Sequence, residues 1–243
     1  MGISGSGGGF KKFCRGELDI TNASRPIEHS EMLLCQQNGI EFLELPIAYD
    51  AITVVIHPEN DWLQHVSVSD LKTIWAPSAQ NTITHWLQLD ASFPDQPLNL
   101  YGAGPDSGTF DYFTAAIVGE EKLSRGDYTA SEDDNLLVRG VANDRFALGY
   151  FGHAYYSENR ASLKAVPVEN ERGLFVLPNA ENVQSGDYQP LSRPVFIYVS
   201  KQSMQRAGVQ SFLQFFFAPR NRQEIITWVG YVPLSLHNYE QVL

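Results

Sequence analysis

Two short segments of the chain combine glycine with small hydroxyl side chains just before a helical pattern. The first covers residues 4–9, Ser-Gly-Ser-Gly-Gly-Gly, and the second covers residues 106–109, Asp-Ser-Gly-Thr. The first N–H groups of a helix have no partner inside it, and the helix dipole adds positive charge there. Glycine lets a ligand approach the backbone, while Ser6, Ser107 and Thr109 can donate hydrogen bonds. These residue types predict the binding of a small oxyanion.

Each of these segments is a weak indication by itself. Gly/Ser loops before helices are commonly ordinary turns and caps, and Asp106 could simply cap the helix that follows it. Arg25 adds a third feature, because a guanidinium offers a rigid fork of donors that matches two oxyanion oxygens. An isolated arginine before a proline is more often a surface residue or an ion-pair partner. The three features together favour an anion site that also includes Gly7 and Gly108.

Hydrolase and metal chemistry are not favoured. Neither Ser6 nor Ser107 lies in a G-x-S-x-G motif, and the chain has no G-x-x-x-x-G-K-[ST] motif. The six histidines form no H-x-x-x-H or H-E-x-x-H pair. We therefore expect no catalytic residues, no metal and no cofactor. The helically spaced phenylalanines at 212, 215, 216 and 217 are predicted to be core residues rather than a ligand platform.

Composition narrows the class of partner. The 243 residues are 43% hydrophobic and carry a formal net charge of −11 with scattered basic residues, so a positive stripe for nucleic acid is absent from the sequence. The apolar runs are shorter than the roughly 18 residues that span a bilayer. Cys14 and Cys35 lie 21 residues apart without metal-ligand spacing, and either a disulfide or two buried thiols is compatible with them.

The order of elements predicts an α/β fold with mainly parallel strand pairing. The predicted helices cover residues 10–14, 28–38, 67–75, 106–113, 134–142 and 208–218. The predicted strands cover residues 17–24, 42–46, 52–56, 147–151 and 195–199, and residues 94–100 lead into a further strand that ends at 101–104. The chain shows no internal repeat and no low-complexity linker, which favours two interwoven lobes over two consecutive domains.

Six motifs occur in order and extend over nearly the whole chain: GISGSGGGF at 2–10, NASRP at 22–26, ELPIAYD at 44–50, DSGTFDYF at 106–113, LGYFG at 148–152 and LSRP at 191–194. In these motifs the sequence resembles the phosphate-binding subunit of bacterial phosphate ABC transporters. The resemblance implies a two-lobed type II periplasmic binding protein fold that closes on phosphate in a central cleft, for delivery to the membrane permease of an ABC transporter.

The resemblance also implies where the lobes and the ligands lie. We expect a first lobe from residues 1–49 and 195–243 and a second from residues 50–194. In the family pattern, Ser6 supplies the hydroxyl of the first lobe, and Ser107, Gly108 and Thr109 supply hydroxyl and N–H groups of the second. The implied location is the periplasm or cell envelope, and the implied partners are phosphate and the permease, with no nucleic acid.

Two departures from the family pattern matter. Many relatives have an aspartate where Arg25 stands and an arginine where Ala103 stands, so Arg25 is expected to take over the guanidinium role and Asp106 to accept the proton of phosphate. Relatives also carry a leader, a first strand, a phosphate loop and a first helix ahead of the segment that begins at Met1. The first lobe is therefore expected to be incomplete at its N-terminus.

Three other functions stay open at this point. The chain could bind another oxyanion or small ligand on the same fold, which competition by sulfate, arsenate and molybdate would reveal. A phosphatase-like enzyme is a second alternative, and turnover of a phosphomonoester would support it. A third is an interaction or sensory protein that folds normally but binds no anion.

Overall fold

The structure, a computed structural model, describes residues 5–235. The helices are α1 Gly5–Phe13, α2 His29–Gln37, α3 Val68–Trp75, α4 Gly108–Phe113, α5 Asp134–Ala142, α6 His153–Glu158, α7 Ala180–Gln184, α8 Ala207–Phe217 and α9 Pro219–Trp228. The strands are β1 Ile20–Ala23, β2 Phe42–Ile56, β3 Asn99–Ala103, β4 Thr129–Ser131, β5 Ala147–Gly152, β6 Lys164–Ala165, β7 Val168–Glu169, β8 Phe175–Val176, β9 Ser192–Ser200 and β10 Val232–Pro233. A π-helical turn, Thr114–Val118, extends α4.

The chain divides into two compact units. The first contains Met1–Asp50 and Arg193–Leu243, and the second contains Ala51–Ser192. The lobes expected from the sequence, residues 1–49 with 195–243 and residues 50–194, stay a prediction. Strand β2 contributes its first part to the first unit and its second part to the second unit.

In the first unit, β9 pairs antiparallel with β1, with Ile20 opposite Val199, and lies beside β2. Helix α1 packs closely on β1, since a Cβ on Gly9 would lie only 2.5 Å from Thr21 Oγ1. Phe10 and Phe13 on α1 are fully buried, and the ring of Phe10 meets Tyr198 edge-on at 4.8 Å. Cys14 and Cys35 form a disulfide, which joins the end of α1 to α2. This packing fixes the start of α1 relative to β1.

In the second unit, β2 pairs antiparallel with β5, and β3 pairs parallel with both β4 and β5. An aromatic group fills the space under α4, where the rings of Phe113 and Tyr150 stack at 3.6 Å and Trp75 meets Tyr150 edge-on. Both Phe113 and Tyr150 are almost completely buried. The core therefore packs α4 against the sheet. Residues 104–107 connect strand β3 of that sheet to the start of α4.

Several sequence predictions need correction. Helix α1 begins at Gly5 rather than after the glycines, and Gly9 lies inside it, where the close contact with Thr21 leaves no room for a side chain. Residues 42–56 form one strand rather than two, because β10 pairs with β2 at Ala48 and Tyr49, where a break was predicted. Strand pairing is mixed, since β1, β2 and β5 to β10 all take part in antiparallel pairs.

The phenylalanine group on α8 is only partly core. Phe217 is buried, whereas Phe212 and Phe215 are 41% and 59% exposed. Across the described range, 5–235, none of the helices combines the length and the apolar character that a bilayer crossing requires.

Candidate functional site

The start of α1 is joined to the end of β1 by serine side chains. Ser6 Oγ accepts the backbone N–H of Ser24 at 3.1 Å and lies 3.3 Å from Ser24 Oγ. Because this bond uses a lone pair of Ser6, its O–H can still donate to a ligand. The sequence analysis included Ser6 and missed Ser24, although Ser24 directly precedes Arg25 in the NASRP motif.

Arg25 lies beside the same helix start and is held by Glu31. Its Nη1 donates to Glu31 Oε2 and its Nη2 to Glu31 Oε1, both at 2.9 Å, and Nη1 also donates to the Pro26 carbonyl at 3.1 Å. A Cβ on Gly7 would lie 3.5 Å from Arg25 Nη2, so the guanidinium is next to the backbone of α1. The structure therefore brings Ser6, Gly7 and Arg25 together in the first unit.

The ion pair keeps both of its partners charged. The hydrogen bond to Glu31 raises the pKa of Arg25 above its usual value. Burial opposes ionisation of Glu31, but hydrogen bonds from Arg25 and from the backbone of Glu28 outweigh it and lower the pKa of that carboxyl. Arg25 thus combines the ion-pair role that is common for an isolated arginine with a position at the predicted anion site.

In the second unit, Ser107 caps α4. Its Oγ accepts the backbone N–H of Thr109 at 3.1 Å, and its own N–H closes a turn onto the Gly104 carbonyl at 3.0 Å. Asp106 does not cap the helix; its side chain is exposed, and its backbone N–H donates to Glu132 Oε1 at 3.1 Å. Residues 106–109 therefore form one turn that leads directly into the helix.

The first turn of α4 is open on its outer side. Beyond its chain neighbours and the helix backbone, a Cβ placed on Gly108 would meet no atom of the described residues within 4 Å. Gly104, by contrast, is tightly covered, since a Cβ there would clash with Glu132 Oε1. Because Gly108 has no side chain, the start of α4 is open on that side. Because Gly104 has none, Glu132 can reach the turn at 104–107.

Sequence reasoning missed Glu31 and Glu132. Glu31 was detectable as the third helical residue after Glu28, since the two form a capping box at the start of α2. Glu132 follows β4, which pairs with β3 next to the turn at 104–107, and that pairing was not predicted. Within residues 5–235, no three His, Cys, Asp or Glu side chains are placed to hold a metal ion.

Comparison with known proteins identifies the family. A family model described as a PBP superfamily domain matches residues 3–220. Protein SphX of Synechocystis sp. is 54% identical over 98% of this chain and 70% of its own length. The chain belongs to the PBP superfamily and to the family of SphX and PstS. The phosphate-binding protein PstS of Staphylococcus saprophyticus is 32% identical over 99% of this chain and 72% of its own length.

A solved structure supports the same assignment. The crystal structure of a possible phosphate binding protein from Planctomyces limnophilus matches with a TM-score of 0.87 and 40% sequence identity. The match covers 97% of this chain and 82% of that one. The family and the two-lobed α/β fold predicted from the sequence are confirmed.

Proposed function

We propose that the chain binds inorganic phosphate and that two residue sets are its candidate ligands. The first set is Ser6, Gly7 and Arg25; the second is Asp106, Ser107, Gly108 and Thr109. The observation that carries the proposal is the first turn of α4, which Ser107 caps and where a Cβ on Gly108 would meet nothing within 4 Å beyond its chain neighbours and the helix backbone. Relatives named phosphate-binding proteins at 30% identity and above support phosphate as the anion.

The two sets supply complementary donors. Ser6, Ser107 and Thr109 contribute hydroxyl groups, α4 contributes N–H groups at its positive end, and Arg25 contributes a guanidinium. The net charge of −11 does not oppose this, because the binding groups are local dipoles and one cation already neutralised by Glu31. Such a site depends on the number and direction of its hydrogen bonds more than on overall charge.

Phosphate near neutral pH keeps at least one proton, and we assign the acceptor of that proton to Asp106. Its carboxylate is exposed next to the Ser107 cap. Sulfate has no proton to donate, so a carboxylate in the site would repel it. Asp106→Asn should therefore reduce the preference for phosphate over sulfate.

The proposed role is transport of cargo rather than catalysis. The family consists of substrate-binding proteins, and we propose that this chain delivers phosphate to the membrane permease of an ABC transporter. The proposed location is the periplasm or cell envelope, where the Cys14–Cys35 disulfide is chemically favoured.

The test is calorimetric titration of the purified chain with phosphate, sulfate, arsenate and molybdate. Phosphate binding that the other three anions do not match supports the proposal, with arsenate as the nearest competitor because it has the same charge and shape. A stronger response to molybdate or sulfate would assign the site to another oxyanion. Steady turnover of a phosphomonoester would overturn the non-enzymatic role.

A further inference from the structure

The guanidinium of Arg25 has two edges that can each hold a pair of oxygens. The end edge consists of Nη1 and Nη2, and the side edge consists of Nε and Nη2. Glu31 occupies the end edge with two hydrogen bonds of 2.9 Å. Among the described residues, no hydrogen bond uses Nε. The side edge therefore keeps Nε and the second N–H of Nη2 for a bidentate ligand, although the exposed Glu28 carboxylate lies 3.3 Å from Nη2.

Glu31 is itself held firmly in place. Its side chain is only 11% exposed, and its Oε2 also accepts the backbone N–H of Glu28 at 2.9 Å. It lies on α2, which the Cys14–Cys35 disulfide joins to the end of α1. A Cβ on Gly7 would lie 3.5 Å from Arg25 Nη2 and 3.9 Å from Glu31 Oε1. The ion pair thus lies against the helix start that carries Ser6.

A second carboxylate competes for the same guanidinium. Glu28 Oε1 lies 3.3 Å from Arg25 Nη2, and the Glu28 side chain is 60% exposed. If Glu31 did not hold the end edge, the guanidinium could turn towards Glu28 and withdraw from the start of α1. Removing either carboxylate makes the surroundings of Arg25 less negative, but only Glu31 fixes the direction of the fork.

We propose that Glu31 is a positioning residue that holds the end edge of Arg25 and thereby directs its Nε–Nη2 edge to the oxyanion. This inference rests on the proposed phosphate binding. It predicts opposite effects on phosphate binding for the neutralisation of Glu31 and of Glu28, although each substitution removes one negative charge beside Arg25. A purely electrostatic role for Glu31 predicts that both substitutions strengthen anion binding, because each removes one repulsive carboxylate.

The experiment compares the phosphate Kd of the full chain with that of the variants Glu31→Gln and Glu28→Gln. Positioning predicts about tenfold weaker binding for Glu31→Gln, the value of one hydrogen bond to a charged group, and equal or tighter binding for Glu28→Gln. Circular dichroism and thermal unfolding check that each variant folds. If Glu31→Gln does not fold, Glu31→Asp carries the test, since it keeps the charge but shortens the reach and should also weaken binding.

The outcomes separate this inference from the proposed function. Equal or tighter phosphate binding by a folded Glu31→Gln variant overturns the positioning role and leaves phosphate binding intact. A folded wild-type chain that binds no phosphate overturns the proposed function and this inference with it. Weaker binding by both Glu31→Gln and Glu28→Gln would also contradict the inference, because Glu28 would then support the same geometry.

Discussion

Ser6 Oγ accepts the backbone N–H of Ser24 at 3.1 Å, which joins the start of α1 to the end of β1 beside Arg25. The bond gives the Ser6 hydroxyl a fixed position and leaves its proton for a ligand. The same side chain therefore has a structural role and a proposed binding role.

Replacing Ser6 by alanine should weaken phosphate binding about tenfold, because hydrogen bonds to a charged partner contribute about 1.5–3 kcal/mol. The free energy of unfolding should fall by about 1 kcal/mol, since the Ser24 N–H loses its acceptor. Ser30→Ala is the control, because Ser30 is exposed on α2 of the same unit. Calorimetry and urea unfolding measure the two effects, and equal phosphate affinity of the Ser6 and Ser30 variants would contradict the role of Ser6.

The caps of α3 and α4 provide a matched pair in the second unit. Ser67 Oγ accepts the N–H of Asp70 at 3.0 Å, just as Ser107 Oγ accepts that of Thr109 at 3.1 Å. Ser67→Ala and Ser107→Ala should each cost about 1 kcal/mol of stability. Only Ser107→Ala should also weaken phosphate binding. A Ser67 variant with an equal loss of affinity would show that the effect comes from stability alone.

Gly108 and Gly208 form a second matched pair. Both are helical, and a Cβ on either would meet no described atom within 4 Å beyond its chain neighbours and its own helix backbone. Alanine at each position should therefore leave stability unchanged or raise it by up to about 1 kcal/mol. Gly108→Ala should nevertheless weaken phosphate binding, because its methyl group would occupy the space through which the ligand reaches the backbone. Unchanged phosphate affinity in that variant would contradict the assignment of Gly108.

Two buried groups of the second unit should make its stability depend on pH in opposite directions. Burial lowers the pKa of His153 to about 4 and raises that of Asp134 to about 6. When the pH falls below 6.5, the usual pKa of histidine, His153 takes up a proton in the unfolded chain but not in the folded chain. The folded state therefore becomes less stable relative to the unfolded state as the pH falls towards 4. Asp134 contributes in the other direction, since its stabilisation is lost as the pH rises from about 4 to 6.

Asp134→Asn should expose the histidine effect alone. The free energy of unfolding of this variant should rise between about pH 4 and 6.5 more steeply than that of the wild type. Urea unfolding across this range measures both profiles. Parallel profiles would show that Asp134 has an ordinary pKa in the folded chain.

Hydrophobic spacing and capping residues predict those helices and strands whose pattern is contained within a few consecutive residues. The helix predicted near residues 134–142 corresponds to α5, in which Leu137, Val138 and Val141 recur at helical spacing and are buried. Helix α9 was missed because its sequence is mostly polar and Ile226 is its main buried residue, although Pro219 at its start was a usable signal.

The site was predictable where its residues are adjacent in sequence. Residues 106–109 form a single turn and cap, so their grouping follows from the motif. The approach of the Arg25–Glu31 pair to Gly7 depends on how α2 packs against α1, which the Cys14–Cys35 disulfide joins, and Glu132 reaches the turn only through the pairing of β3 with β4. Contacts of this kind are set by tertiary packing, which a sequence pattern does not specify.

The most direct test of the central claim is calorimetric titration of the wild-type chain with phosphate, with sulfate as the control anion and Arg25→Ala as the control variant. Phosphate-selective binding that is lost in Arg25→Ala is the predicted result. A folded chain that gives no heat with phosphate, or that binds sulfate equally well, would contradict the claim that this chain is a phosphate carrier.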